Sequence, residues 1–165
     1  MSTQEQNTTA EIVFLRHGRA LGVREAGVAS DAERPLSPSG EQDVLAAAAR
    51  LRDTGFAPDL VLHSPFARAA RTAELAASLF PGVPMRPSAA LSDGPASAIV
   101  DLVETAGVRR LLVVGHQPLL GAVAGFCAGG APLDLSASGY ARLKAGAAPG
   151  EFTLEELYEP PEKRP

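Results

Sequence analysis

The stretch Ile12-Val13-Phe14-Leu15-Arg16-His17-Gly18 decides the fold. Its first four residues form a continuous apolar run, the pattern of a strand covered on both faces of a sheet. The run stops abruptly at a basic, a titratable and a very small residue. Further along, Leu60-Val61-Leu62 runs into His63-Ser64-Pro65, and Leu111-Leu112-Val113-Val114 runs into Gly115-His116-Gln117-Pro118. All three histidines of the chain thus stand just beyond an expected strand end. Arginine joins two of the clusters, as Arg16 and as Arg68, a turn after His63-Ser64.

Helical patterns lie between these runs. Ser37 is a fitting N-cap, with Pro38 at the first helical position and Glu41 in the first turn. Val44, Leu45, Ala48 and Leu51 then repeat at helical spacing up to a stop at Gly55. A second helix carries Ala69, Ala73, Ala76 and Leu79 on its apolar side and is expected to end near Gly82. A third spans 96–106, with Ser92 or Asp93 near its start and Ile99, Val100, Leu102 and Val103 toward the core. A fourth spans 119–126 and is entered through Pro118. The segments 138–144 and 151–157 alternate partly and flank a turn-rich stretch, which predicts an antiparallel hairpin at the sheet edge. Buried strands separated by helices predict a three-layer α/β/α sandwich with a mainly parallel central sheet and an antiparallel edge. In such sheets ligands gather at the carboxyl ends of the strands, where the histidines stand.

Composition narrows the function classes. The chain has 165 residues, which predicts one domain over 11–158, with loose segments at 1–10 and 159–165. A net charge of −4 gives no basic excess for a nucleic-acid backbone. One cysteine, Cys127, excludes an internal disulfide scaffold and fits a reducing compartment, where it reads as a small core residue. The start of the chain lacks the pattern of a signal peptide, and no apolar run reaches the roughly 20 residues needed to cross a bilayer. A cytoplasmic protein without a membrane partner is the expectation.

Two imidazoles and two guanidiniums in one crevice can support phosphoryl chemistry. Guanidiniums stay charged and offer planar forks of donors that match phosphoryl oxygens. Neighbouring positive charge lowers a histidine pKa and keeps the imidazole a nucleophile near neutral pH. Such a site needs no metal or other cofactor, because the fixed cations compensate the phosphoryl charge. The histidines also lack the short paired spacing of a zinc site. His63 has a simpler reading, closing its strand with a backbone hydrogen bond.

Beyond this chemistry, the blocks Leu15-Arg16-His17-Gly18, Arg34-Pro35-Leu36-Ser37 with Gly40, Ser64-Pro65-Phe66 with Arg68-Ala69 and Thr72, and Val114-Gly115-His116-Gln117-Pro118 with Leu120-Gly121 resemble, in order and spacing, the histidine phosphatase superfamily. The resemblance covers roughly residues 11–145. It is strongest to the small single-domain branch typified by the protein-phosphohistidine phosphatase SixA, and it implies a phosphoglycerate-mutase-like fold. It further implies that His17 is the nucleophile, that Arg16 and Arg68 bind phosphate, and that His116 donates to the phosphoryl group, while Gly18 permits close backbone approach. Larger members place an acid after the second helix to protonate an alcohol leaving group. Here that region offers only Asp93, whose other reading is a cap of the following helix. Arg71 stands where the small branch often has glutamine, either adding to the pocket or facing solvent.

A phosphoramidate needs less help from a placed acid than an alkyl phosphate, and the short 79–96 segment leaves little chain for a lid. A phosphohistidine on a partner protein is therefore the expected substrate. The alternatives are a small phosphorylated metabolite or sugar, and a phospho-ligand-binding module without turnover.

Overall fold

A computed structural model describes residues 8–161. Six strands form one sheet: β1 (Glu11–Arg16), β2 (Leu60–His63), β3 (Met85–Pro87), β4 (Arg110–Gly115), β5 (Tyr140–Ala145) and β6 (Phe152–Tyr158), in the spatial order β3-β2-β4-β1-β5-β6. β1, β2, β3 and β4 run parallel to their neighbours among themselves; β5 pairs antiparallel with β1, and β6 with β5. The helices are α1 (Val23–Ala26), α2 (Pro38–Asp53), α3 (Ala67–Ala77), α4 (Ala90–Asp93), α5 (Ala96–Glu104) and α6 (Leu119–Cys127), with a 3₁₀ turn at Asp31–Glu33.

Strand alternation divides the core into two layers. Ile12, Phe14, Leu60, Leu62, Leu111 and Val113 face α5 and α6, meeting Ile99, Val103, Leu120 and Val123. Val13, Leu15, Val61, Leu112 and Val114 face α2 and α3, meeting Ala47, Ala48, Leu51, Ala69, Ala73 and Ala76. Because both faces are covered, the three central strands read as unbroken apolar runs. The small alanines of α2 and α3 let those helices lie close to the sheet. The fold is thus the expected α/β/α arrangement, a mixed sheet between two helical layers.

Several boundaries differ from the sequence expectation. The second helix, α3, ends at Ala77 rather than near Gly82: the Ser78 N–H donates to Glu74 O, and the chain then turns so that Phe80 sinks into the core against Phe56. Ser92 and Asp93 form the separate turn α4 instead of starting the third helix, and Pro95 takes the N-cap place of α5. β5 begins at Tyr140 rather than at 138, because Ser138 adopts a φ of 62°, in the left-handed region that no strand uses. β3 was not expected: it is a three-residue, exposed edge strand ending in proline. Of the terminal segments expected to be loose, residues 1–7 and 162–165 lie outside the described residues, while the Thr9 hydroxyl donates to Val108 O at 2.8 Å. None of the helices among the described residues is long and apolar enough to cross a membrane.

Candidate active site

Strand register brings the candidate residues together. β1 and β4 lie side by side with Arg16 opposite Gly115, so the next residues, His17 and His116, emerge as neighbours, and the His17 N–H donates to Gly115 O at 3.1 Å. The two imidazole rings are 5.0 Å apart between centroids. β2 lies on the other side of β4, and its register sets Ser64 next to the same strand end, with the Ser64 N–H donating to Val114 O.

Each side chain is held from behind. His17 Nδ1 is 2.7 Å from the Gly18 carbonyl oxygen. A carbonyl can only accept, so Nδ1 carries the proton and Nε2 keeps a free lone pair. His116 Nε2 is 2.8 Å from Ser64 Oγ, and Phe66 meets the His116 ring edge-on. Arg16 donates from a terminal nitrogen to Leu135 O at 2.9 Å, while its buried Nε has no partner. Arg68, in the first turn of α3, is buried with its guanidinium over the Phe66 ring. It donates to the Asp31 backbone carbonyl at 2.8 Å and to the Asp31 carboxylate at 3.0 Å. Three of its five N–H donors remain after these two bonds.

A further bond ties the two halves of the cluster together. The Thr72 hydroxyl donates to Arg68 O at 2.7 Å and accepts from the Gly18 N–H at 3.1 Å. Gly18 is itself needed for close approach: a Cβ there would lie 2.9 Å from Gly40 O and from Val44. Loop 17–18 is thus pressed between α2 and α3, which is how a surface loop becomes a rigid support.

The electrostatics follow from this packing. Burial lowers the His17 pKa to about 4; the Gly18 hydrogen bond opposes this, and His116, Arg68 and Arg16 add to it. Burial also lowers His116 to about 4, aided by Arg68 and Arg16 and opposed by Asp31. Both rings are neutral at pH 7. The Asp31 carboxyl is held below the usual carboxylate range by its hydrogen bonds to Arg34 and Arg68. The arrangement brings a ring nitrogen with a free lone pair, a second imidazole and two permanent cations within electrostatic reach of one another.

Other candidates stand apart. The His63 ring nitrogen Nδ1 meets Ser64 O at 2.9 Å, the strand-closing bond expected of it. Asp93 is exposed at the end of α4 and is not among the charges that act on His17 or His116. Arg71 pairs with Glu41 and Glu74 on the surface. Among the described residues no group of three or more His, Cys, Asp or Glu is placed to hold a metal ion. Sequence reasoning assigned no part in the site to Asp31, Ser64 or Thr72. Ser64 and Thr72 lie within the quoted blocks, whereas Asp31 reaches Arg68 across 37 residues with no local signal.

Comparison with known proteins shows the family and the fold. Residues 12–96 match the profile of the histidine phosphatase superfamily (branch 1). An uncharacterized protein of Picosynechococcus sp. is 35% identical over 149 residues, covering 84% of this chain and 87% of the relative. A SixA-type protein from Agrobacterium tumefaciens superposes with a TM-score of 0.81 at 23% identity, covering 92% of this chain and 99% of the other. The protein histidine phosphatase SixA complexed with tungstate gives 0.77 at 28% identity, covering 91% and 97%. The α-ribazole phosphatase of Shigella flexneri shares the fold, with a TM-score of 0.70 at 19% identity over 89% of this chain and 95% of the other. The chain therefore belongs to branch 1 of the histidine phosphatase superfamily.

Proposed function

We propose that this protein is a metal-independent phosphatase that passes the phosphoryl group through His17, and that its donor is a phosphohistidine on a partner protein. The observation that carries this reading is the pair of imidazoles, His17 and His116, 5.0 Å apart and both kept neutral by burial and by the charges of Arg16 and Arg68. In the first step the Nε2 lone pair of His17 attacks phosphorus and the P–N bond to the donor imidazole breaks. The electron pair of that bond stays on the leaving nitrogen, which takes its proton from water. In the second step water attacks phospho-His17, the new P–N bond breaks, inorganic phosphate leaves and Nε2 regains its lone pair. Arg16 and Arg68 neutralise the equatorial oxygens throughout, and His116 donates a hydrogen bond to one of them. The backbone carbonyl behind His17 Nδ1 keeps the ring oriented along the line of attack.

Two features support a phosphoramidate donor. Among the described residues, the one acid whose charge reaches His116 is Asp31, and its two arginine partners keep it ionised, so it is a poor source of a proton for an alkoxide. The 79–96 segment is short and packs into the fold at the strand end before His116: Leu91 is buried, and its carbonyl lies close to Gly115. A segment with so little chain to spare for a lid suits a donor presented by a folded protein. The solved SixA that superposes on this chain was complexed with tungstate, an oxyanion, which supports an anion pocket here.

The deciding experiment mixes the enzyme with a phosphohistidine-bearing protein, p-nitrophenyl phosphate and sugar phosphates in parallel, quenching in alkali during turnover. The expected result is acid-labile phosphate on His17, absent from His17→Ala, with the phosphohistidine protein turned over fastest. Preference for a sugar phosphate would assign the protein to small-molecule hydrolysis, as the shared fold of the α-ribazole phosphatase allows. Phosphate binding without any turnover would make it a binding module.

A further inference from the structure

Ser64 stands between β2 and α3 with no exposed surface. Its hydroxyl has two partners: it accepts from the Phe66 N–H at 3.2 Å and lies 2.8 Å from His116 Nε2. We propose that Ser64 is a positioning residue that donates its hydroxyl proton to His116 Nε2, fixes that ring as the Nδ1–H tautomer, and so leaves Nδ1–H as the donor to a phosphoryl oxygen. The inference rests on the reading of His116 as a pocket donor.

The argument is one of satisfying every buried group. A serine hydroxyl has one proton and two lone pairs. Phe66 uses a lone pair, so the open question is the direction of the bond to His116. If Nε2 carried the proton, it would donate to Oγ and the Ser64 proton would be left without an acceptor, in a residue that is 0% exposed. Buried hydroxyls are nearly always paired, and leaving one unpaired is costly. The opposite direction satisfies the Phe66 N–H, the Ser64 O–H and the Nε2 lone pair together. Nδ1 is then protonated, and it makes no hydrogen bond to any other described residue.

The two rings of the site are in this way the same tautomer anchored through opposite nitrogens. His17 is held at Nδ1–H by a carbonyl, which can only accept, and keeps a lone pair at Nε2. His116 is held at Nε2 by a hydroxyl that donates, and keeps an N–H at Nδ1. Nucleophile and hydrogen-bond donor are thereby distinguished by what stands behind each ring, although both rings are uncharged.

The test is the long-range ¹H–¹⁵N correlation spectrum of the uniformly ¹⁵N-labelled protein at pH 7.5, which reads ring tautomers directly, beside the kinetics of Ser64→Ala. In the wild type, His116 is expected to show a protonated Nδ1 and an unprotonated Nε2. In Ser64→Ala a second, Nε2-protonated population is expected, with kcat lowered between about 10- and 100-fold and restored toward wild type by Ser64→Thr. A wild-type His116 protonated at Nε2 would overturn the proposal, whatever the variants do. An unchanged tautomer and unchanged kcat in a folded Ser64→Ala would overturn it equally. Because the spectrum needs no substrate, a protein with the expected tautomer but no turnover would refute the phosphatase reading and leave the assignment standing.

Discussion

Arg68 is a buried cation whose first partner is a side chain rather than a substrate. Asp31 takes two of its N–H donors, one through the backbone carbonyl and one through the carboxylate, and that carboxylate is also shared with Arg34. Replacing Asp31 by alanine removes the carboxylate and keeps the carbonyl, so two effects compete. Losing a charge-assisted hydrogen bond loosens the guanidinium and costs about 1.5–3 kcal/mol. Losing an anion near the pocket relieves its repulsion of a phosphate dianion, but the carboxylate is 58% exposed and well screened, so this gain is smaller. The net expectation for Asp31→Ala is about a fivefold weaker inhibition by inorganic phosphate, equivalent to about 1 kcal/mol. Arg34→Ala, which removes a partner of the other Asp31 carboxylate oxygen and a bond to Leu21 O but none to Arg68, is expected to stay within about twofold. Tighter phosphate binding in Asp31→Ala would mean that repulsion, not orientation, dominates at Arg68.

At the level of elements, the site depends on how closely α2 approaches the loop after β1. Gly40 lies in the first turn of α2, and a Cβ there would be driven into the backbone carbonyl of Arg19. The obstacle is main chain, so it cannot rotate away. Ser37 reinforces the contact, its Oγ accepting from the Gly40 N–H at 3.0 Å and its N–H donating to Arg19 O at 2.9 Å. Gly40→Ala is therefore expected to destabilise the fold by about 1–3 kcal/mol in urea unfolding. Arg19 is two residues from His17, so kcat should fall by about tenfold or more as well. Gln42→Ala, on the exposed side of the same helix, should change stability by no more than about 0.5 kcal/mol. If Gly40→Ala lost stability without losing kcat, His17 would be held by β1 alone.

This dependence on packing also explains what could be read from the chain in advance. The central strands were legible because a strand covered on both faces must be apolar throughout, and α2 because Ser37, Pro38 and Gly55 mark its ends. The pairing of His17 with His116 followed from their equal places after parallel strands. β3 was not legible: Met85-Arg86-Pro87 is three exposed residues long, too short for any periodicity, and pairs only because β2 presents an open edge. The bonds from Asp31 to Arg68 and from Ser64 to His116 were also hidden. Each joins residues far apart in the chain, and each depends on a loop conformation that no local pattern encodes.

Across the whole molecule, a site that keeps two histidines neutral makes stability depend on pH. Both rings have a folded pKa near 4 against an ordinary 6.5, so between these values the unfolded chain binds protons that the folded chain refuses. Stability then rises with pH across this window: it is fully present above about pH 6.5 and is lost progressively as pH falls toward 4. The carboxylates act in a lower range. Asp31 is lowered by its arginines, and Glu156 is lowered, against the effect of burial, by the Tyr140 hydroxyl and Arg50, so their contributions are lost only as pH falls below ordinary carboxylate values. The two effects can therefore be separated. The urea midpoint of the wild type should fall between pH 7.5 and pH 5, whereas that of the His17→Asn/His116→Asn double variant should change much less. At pH 5 the inactive double variant should be the more stable relative to its own value at neutral pH, which would show the site to be held at the expense of acid stability. Parallel declines in the two proteins would mean that the rings titrate normally in the folded state, and the neutral-imidazole basis of the proposed chemistry would fail with them.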